Sequence, residues 1–308
     1  MKEVKKLGPC ATAFTIFKGF VCTGILYMPL NFVNGGWLFS AICIVGSCIW
    51  TLHCAKLLIQ VYETVGGGSF PEIGQKCYGK TGKVLTDISL FFSQFGFVCA
   101  YVYFIAQETQ SVVQCATSPA PRTPACEGGV YINKWWFLPL CSVIYVPLVL
   151  VRKIEKFAWT HMMADILIFV TLASIITYSS VHVHRQGGFT TQGFVAFNTQ
   201  LWPNAIGFSV YAFEGIGVIL PIMEVTNDKE NYFKILTATV VFICVLYISF
   251  SEFVLFSYGG YTPENPTGLD QPLIIDSLPP QQVLVWILKI LFTFNLVFSY
   301  PLVIHPAN

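Results

Sequence analysis

Eight apolar runs, at roughly 9–31, 37–62, 84–107, 135–151, 160–181, 201–222, 233–258 and 283–304, fill most of the 308-residue chain. A helix needs about 20 mostly apolar residues to cross the hydrocarbon core of a bilayer, and these runs approach that length. Only 11% of the residues are charged, against about a quarter in a soluble domain. The mean hydropathy is +0.64. The chain is therefore expected to be all-α, a polytopic membrane protein forming one transmembrane domain whose first partner is the lipid bilayer. A soluble enzyme, a disordered scaffold and a nucleic-acid binder are excluded, the last because the net charge is +1 with no basic face. The opening Met1-Lys2-Glu3-Val4-Lys5-Lys6 runs into the first apolar stretch without a small-residue cleavage site, so it does not read as a secretory signal.

Charge between the runs sets the expected orientation. Lys2, Lys5, Lys6, Lys76, Lys80, Lys83, Arg152, Lys153, Lys156, Lys229 and Lys234 fall on one side, and Arg122, Lys134 and Arg185 on the other. Cytoplasmic loops keep the positive charge, which puts residues 1–8 and, after eight spans, the C-terminus in the cytoplasm. Lys18, Lys56 and Lys289 fall inside spans. Most of the 11 cysteines also lie in apolar runs. Cys43, Cys48, Cys54, Cys99, Cys141 and Cys244 read as small packing residues. Cys115 and Cys126 instead flank a Pro-rich loop on the non-cytoplasmic side, where oxidation is permitted. They form either a disulfide or two free thiols.

Two spans are interrupted. The first contains Cys22-Thr23-Gly24-Ile25-Leu26-Tyr27-Met28-Pro29, and the sixth contains Phe213-Glu214-Gly215-Ile216-Gly217-Val218-Ile219-Leu220-Pro221. They lie five spans apart, so they cross in opposite directions. Matched interruptions in oppositely oriented halves mark the binding site of a secondary transporter. Unwinding a helix in mid-membrane exposes amide N–H groups and carbonyls, and a zwitterion satisfies both. Two ordinary Gly/Pro kinks are the plainer alternative. Glu214 is costly at mid-span. It serves a substrate ammonium, carries a proton, or ties the broken backbone to a neighbour. Asp165 is expected near the cytoplasmic end of the fifth span, in reach of water. Glu252 lies deeper in the seventh, as a proton relay or an interhelical hydrogen-bonding group.

Phe17-Lys18-Gly19-Phe20-Val21-Cys22-Thr23-Gly24-Ile25-Leu26, with Pro29 and Asn34-Gly35-Gly36, resembles the first helix of the amino acid/auxin permease family. Ser69-Phe70-Pro71-Glu72-Ile73-Gly74 and Tyr78-Gly79 are similar to its second loop, and Ser93-Gln94-Phe95-Gly96-Phe97 with Ala100-Tyr101 to its third helix. Phe213 to Gly217 with Leu220-Pro221 looks like the proton-coupled and vacuolar branches, and Ser299-Tyr300-Pro301-Leu302 matches the eighth helix. The resemblance implies a five-plus-five inverted repeat of the LeuT type, within the APC superfamily, with helices 1 and 6 broken. It implies alternating access for small amino acids and no cofactor beyond a possible coupling proton. By position, backbone groups at Thr23, Gly24 and Ile25 would receive the substrate carboxylate, and carbonyls at Phe213, Gly215 and Ile216 its amine. Gln94 and Tyr101 would line the site or pack the core.

Two positions depart from that pattern. Cys22 stands where the family has the first glycine of Gly-Thr-Gly, and Thr15 where animal proton-coupled members have a histidine. His53 does match a histidine of those members. Coupling thus stays open between proton-linked and facilitative transport.

Gly74-Gln75-Lys76-Cys77-Tyr78-Gly79-Lys80-Thr81 fits the phosphate-loop pattern letter by letter, but has no strand before it, so no nucleotide is expected and the segment reads as a basic loop. His182, His184 and Arg185 read as a solvated loop without a metal, since two histidines fall short of a ligand set. The expected function is an amino-acid transmembrane transporter of the plasma, vacuolar or lysosomal membrane. The alternatives are a non-transporting subunit or sensor of transporter ancestry, or a truncated product. On the five-plus-five scheme the chain would stop after its eighth helix.

Overall fold

The computed structural model describes residues 6–21, 24–118, 129–149, 158–190, 192–260, 262, 265, 268–269, 273–278 and 283–304. In chain order the helices are α1 (Pro9–Phe20), α2 (Gly24–Gly35), α3 (Trp37–Thr64), α4 (Phe70–Thr117), α5 (Leu138–Val149), α6 (Ala158–Gln186), α7 (Trp202–Ala212), α8 (Ile216–Val225), α9 (Tyr232–Tyr258), α10 (Ile274–Ser277) and α11 (Val283–Ile304). A 3₁₀ turn, Lys134–Phe137, leads into α5. Among the described residues there is no strand, only isolated bridges.

Among the described residues, five helical stretches are long and apolar enough to cross a bilayer: Trp37–Thr64, Phe70–Thr117, Asp165–Gln186, Trp202–Val225 and Tyr232–Tyr258. A sixth span is formed if α1 and α2, whose axes bend by 51°, are counted together. The chain is thus a polytopic membrane protein, all-helical among the described residues, which hold five or six such spans where eight are expected along the whole sequence. The other two expected places also hold helix. α5 has 12 residues with Pro147 inside it, and the apolar part of α11 is Val285–Val297.

Four half-helices form two antiparallel pairs. α1 packs on α8 and α2 on α7, and α9 packs against both α1 and α2. The reason α9 sits centrally is written along it. Tyr232, Leu236, Val240, Ile243, Tyr247, Phe250 and Val254 recur every three or four residues, and all are buried. α11 closes the other side against α4 and α6.

The outer ends of the pairs are tied by the backbone. Leu7 N–H donates to the Val225 carbonyl (2.8 Å) and Asn227 N–H to the Leu7 carbonyl (2.9 Å), joining the start of α1 to the end of α8. The Thr12 and Thr226 hydroxyls add a contact at 3.1 Å. At the other end Asn198 N–H donates to the Gly35 carbonyl at 3.0 Å, which joins the end of α2 to the segment before α7. Trp37 N–H donates to the Val195 carbonyl, also at 3.0 Å. Between them Gly36 has φ +88°, and a Cβ there would lie 2.6 Å from the Val195 oxygen. The residue needs both a left-handed conformation and no side chain. Gly36→Ala is expected to cost about 1–3 kcal/mol, read as a lower temperature of half-survival on gel filtration.

Three regions differ from the sequence reading. The segment Gly74–Thr81 is helical on either side of a tight turn at Tyr78 and Gly79, where a loop throughout was expected. Ser69 N–H donates to the Glu72 carboxylate at 2.9 Å in a capping box that starts α4. The helix then doubles back at Tyr78 and Gly79 (φ +64°). Gly74 and Gly82 approach so closely that a Cβ at Gly74 would sit 2.9 Å from the Gly82 carbonyl oxygen. His182 and Arg185 likewise lie in the last turns of α6, and the His182 ring stacks on Tyr258 at 4.5 Å. Asp165, expected to reach water, is only 3% exposed and stands 3.9 Å from Lys18. Lys18 Nζ also donates to Asn295 Oδ1 at 2.6 Å. A buried carboxylate needs such a partner, and here it comes from a different span.

Candidate functional site

The two helix breaks meet. Gly215, between α7 and α8, lies against the ring of Phe20 at the end of α1, and a Cβ on it would come within 2.7 Å of that ring. One turn away, a Cβ on Gly19 would sit 2.9 Å from Val218 Cγ2. Glycine at both positions permits the close approach of the half-helices. Consequently two half-helix C-termini (Phe20, Ala212) and two half-helix N-termini (Gly24, Ile216) converge at mid-bundle. Carbonyl ends carry partial negative charge and amide ends partial positive charge, so the junction offers both signs over a short distance.

Beside it lies a cavity of about 140 Å³. Its wall comes from Gly19 of α1, from Ser89, Ser93, Gln94 and Phe97 of α4, and from residues 214–218. Phe70 also lines it, because α4 doubles back at Gly79. Glu214 is exposed toward this space, and its carboxylate accepts a hydrogen bond from the Ser93 hydroxyl. Gln94 is buried on the same wall.

The backbone of the break is tightly turned. Gly215 N–H donates to the Phe213 carbonyl at 3.0 Å, and the Thr51 hydroxyl reaches that carbonyl at 3.4 Å. Glu214 N–H donates to the Tyr211 carbonyl at 3.2 Å. Phe213 itself is buried, with its ring against Tyr247 at 5.8 Å. The Tyr247 hydroxyl donates to the Phe20 carbonyl at 3.3 Å, so α9 anchors the α1 side of the junction as well.

The expected site residues divide. Glu214, Gly215, Ile216 and Gln94 face the cavity together. Gly24 and Ile25 are buried at the start of α2 and do not line it. Cys22 and Thr23 lie outside the described residues. Tyr101 is wholly buried in the core and off the cavity wall. His53 is exposed on the outer face of α3, near Trp50. Cys115 is disulfide-bonded, and Cys126 lies outside the described residues. The six cysteines read as packing residues are free.

Sequence reading missed Ser93 as the partner of Glu214, although it adjoins Gln94. It also missed a buried cluster at the other end of α4, where Lys289 meets Glu108 and Asp276. The lone lysine in the eighth apolar run was the available signal. Among the described residues no group of His, Cys, Asp and Glu could hold a metal ion.

The sequence matches the family model described as transmembrane amino acid transporter protein over residues 5–308. It is 28% identical over 292 residues to vacuolar amino acid transporter 3 of Saccharomyces cerevisiae, covering 95% of this chain and 40% of that protein. The Schizosaccharomyces pombe protein of the same name is 30% identical over 292 residues, covering 95% of this chain and 41% of its own length. Amino acid transporter AVT3B of Arabidopsis thaliana is 26% identical over 300 residues, covering 96% and 69%. The chain thus spans about two fifths of the fungal relatives. With the model matched along nearly its whole length, the chain belongs to the transmembrane amino acid transporter family.

Proposed function

We propose that the protein transports small amino acids across a membrane by alternating access, with substrate held where α1/α2 and α7/α8 are broken. The observation that carries this is the convergence of four half-helix ends beside a cavity that also presents Glu214, Ser93 and Gln94. A zwitterion suits that field. Its carboxylate goes to the amide end of α2, at Thr23, Gly24 and Ile25, a place beside the cavity rather than on its wall. Its ammonium goes to the carbonyls around Phe213, Gly215 and Ile216 and to the Glu214 carboxylate. A cavity of about 140 Å³ favours small side chains.

The names of the fungal relatives support the vacuolar membrane as the location. The residues facing the cavity supply substrate contacts, and transport is either proton-linked or facilitative. Rocking of the half-helix pairs against a scaffold of α4, α5 and α11 alternates access, in a five-plus-five arrangement with the N-terminus in the cytoplasm.

The test is flux of radiolabelled small amino acids in proteoliposomes holding the full-length protein, with and without a pH gradient. Saturable flux is expected. Gln94→Ala should raise KM about fivefold, the worth of one neutral hydrogen bond of about 1 kcal/mol. Binding without flux from folded protein would identify a sensor instead.

A further inference from the structure

We propose that Glu108, held by Lys289 and Asp276, is the site that binds the coupling proton. This rests on the transport reading above and names the residue through which a proton would enter it. Glu108 lies on α4 and is 0% exposed. Neither of its carboxyl oxygens makes a hydrogen bond. Lys289 of α11 is the facing cation, with Nζ 3.7 Å from Glu108 Oε2. That ammonium already donates to Ser111 Oγ at 2.6 Å and to Asp276 Oδ1 of α10 at 2.5 Å. An ammonium has three N–H donors, so Glu108 is left with the third, at long range.

The charge balance makes the case. With all three groups ionised the cluster holds two carboxylates and one ammonium, a net negative charge that centres on the wholly buried Glu108, since Asp276 keeps a side-chain exposure of 13%. Such an unmatched charge is strongly unfavourable in a buried site. One proton on Glu108 brings the pocket to neutrality and leaves Lys289 paired with Asp276, the geometry observed. The proton adds to a Glu108 oxygen from solvent on one side of the membrane and returns to solvent on the other, and no other bond changes.

The surroundings give that proton something to act on. Tyr27 of α2 lies within electrostatic reach of both Glu108 and Asp276, and its hydroxyl is buried without a hydrogen-bond partner. Tyr103 of α4 and Tyr211 of α7 are the other titratable groups near it, and Lys134 meets the Tyr103 hydroxyl at 2.9 Å. Tyr27 sits one turn after Gly24, where the proposed carboxylate site begins. α10 also packs directly on α2. A charge change at Glu108 is therefore felt by the half-helix that receives substrate and by the short helix lying on it. Glu214 is left to the substrate, since it opens to the cavity and already has Ser93.

The experiment compares two readouts from full-length protein in proteoliposomes: exchange of labelled for unlabelled amino acid at equal pH, and accumulation driven by a one-unit pH gradient. With one proton per solute, that gradient sustains about tenfold accumulation. Wild type is expected to approach this value. Glu108→Gln should bring the accumulation ratio to about one while exchange at equal pH continues. Glu108→Asp should keep accumulation but shift its pH dependence. If Glu108→Gln fails gel filtration, Glu108→Asp alone decides, and an unshifted profile overturns the proposal. Glu108→Gln accumulating like wild type overturns it too, as does wild-type flux indifferent to the gradient; both leave transport intact. Absence of exchange from folded wild type would remove the transport reading itself.

Discussion

Replacing Lys18 with methionine is expected to destabilise the protein by about 3–5 kcal/mol, the usual result of removing one partner from a buried ion pair. Lys18 is fully buried, and it meets Asn295 at 2.6 Å and Asp165 at 3.9 Å. It links α1, α6 and α11. Methionine keeps most of the volume and removes the charge, so Asp165 remains as a carboxylate in the bundle with no cation beside it. The loss should appear as a drop of several degrees in the temperature at which half the protein survives gel filtration. The double variant Lys18→Met with Asp165→Leu should recover part of the loss, with a coupling of about 0.5–3 kcal/mol. Losses that simply add would show that the two side chains act separately.

Gly215→Val is expected to give the largest functional defect. Any Cβ at this position comes within 2.7 Å of the Phe20 ring, and valine adds two methyl groups beyond it. Forcing extra volume into a packed junction costs about 1–3 kcal/mol. The greater effect falls on flux. The half-helix ends that would hold substrate must move apart, and misplacement of such groups by about 1 Å costs on the order of a hundredfold. Flux in proteoliposomes should fall by about that factor while the protein still runs as folded. Phe20→Ala in the same chain should restore a measurable part, because it removes the ring that valine meets. Failure of that rescue would assign the defect to the backbone conformation at Gly215 rather than to crowding.

What could be read from the sequence was whatever depends on neighbours in the chain. The breaks in the first and sixth spans stood out because Gly and Pro interrupt an apolar run, and their meeting at Phe20 and Gly215 follows from the same small residues. Gln94 came with its motif and lines the cavity. Pairings between distant spans were not legible. Lys289 and Glu108 lie 181 positions apart, and nothing local says which faces of α4 and α11 are turned together. In a bilayer the outer face of a helix is as apolar as its inner face, so α3 carries no stripe that would have put His53 outside. Tyr101 shows the same limit, since an aromatic at the right depth packs the core or lines a site with equal ease. Asp165 departs from expectation because a charge near the end of an apolar run ordinarily reaches water, whereas its partner lies on α1.

The backbone ties at Leu7 and Gly35 separate covalent order from mechanical order. Along the chain α1 is followed by α2, and α7 by α8. By its hydrogen bonds, however, the start of α1 is fastened to the end of α8, and the end of α2 to the lead-in of α7. A pull at Leu7 is thus passed first to a helix more than two hundred residues away, before it reaches the next helix in sequence. The two breaks are the crossing points where the chain leaves one fastened pair and enters the other.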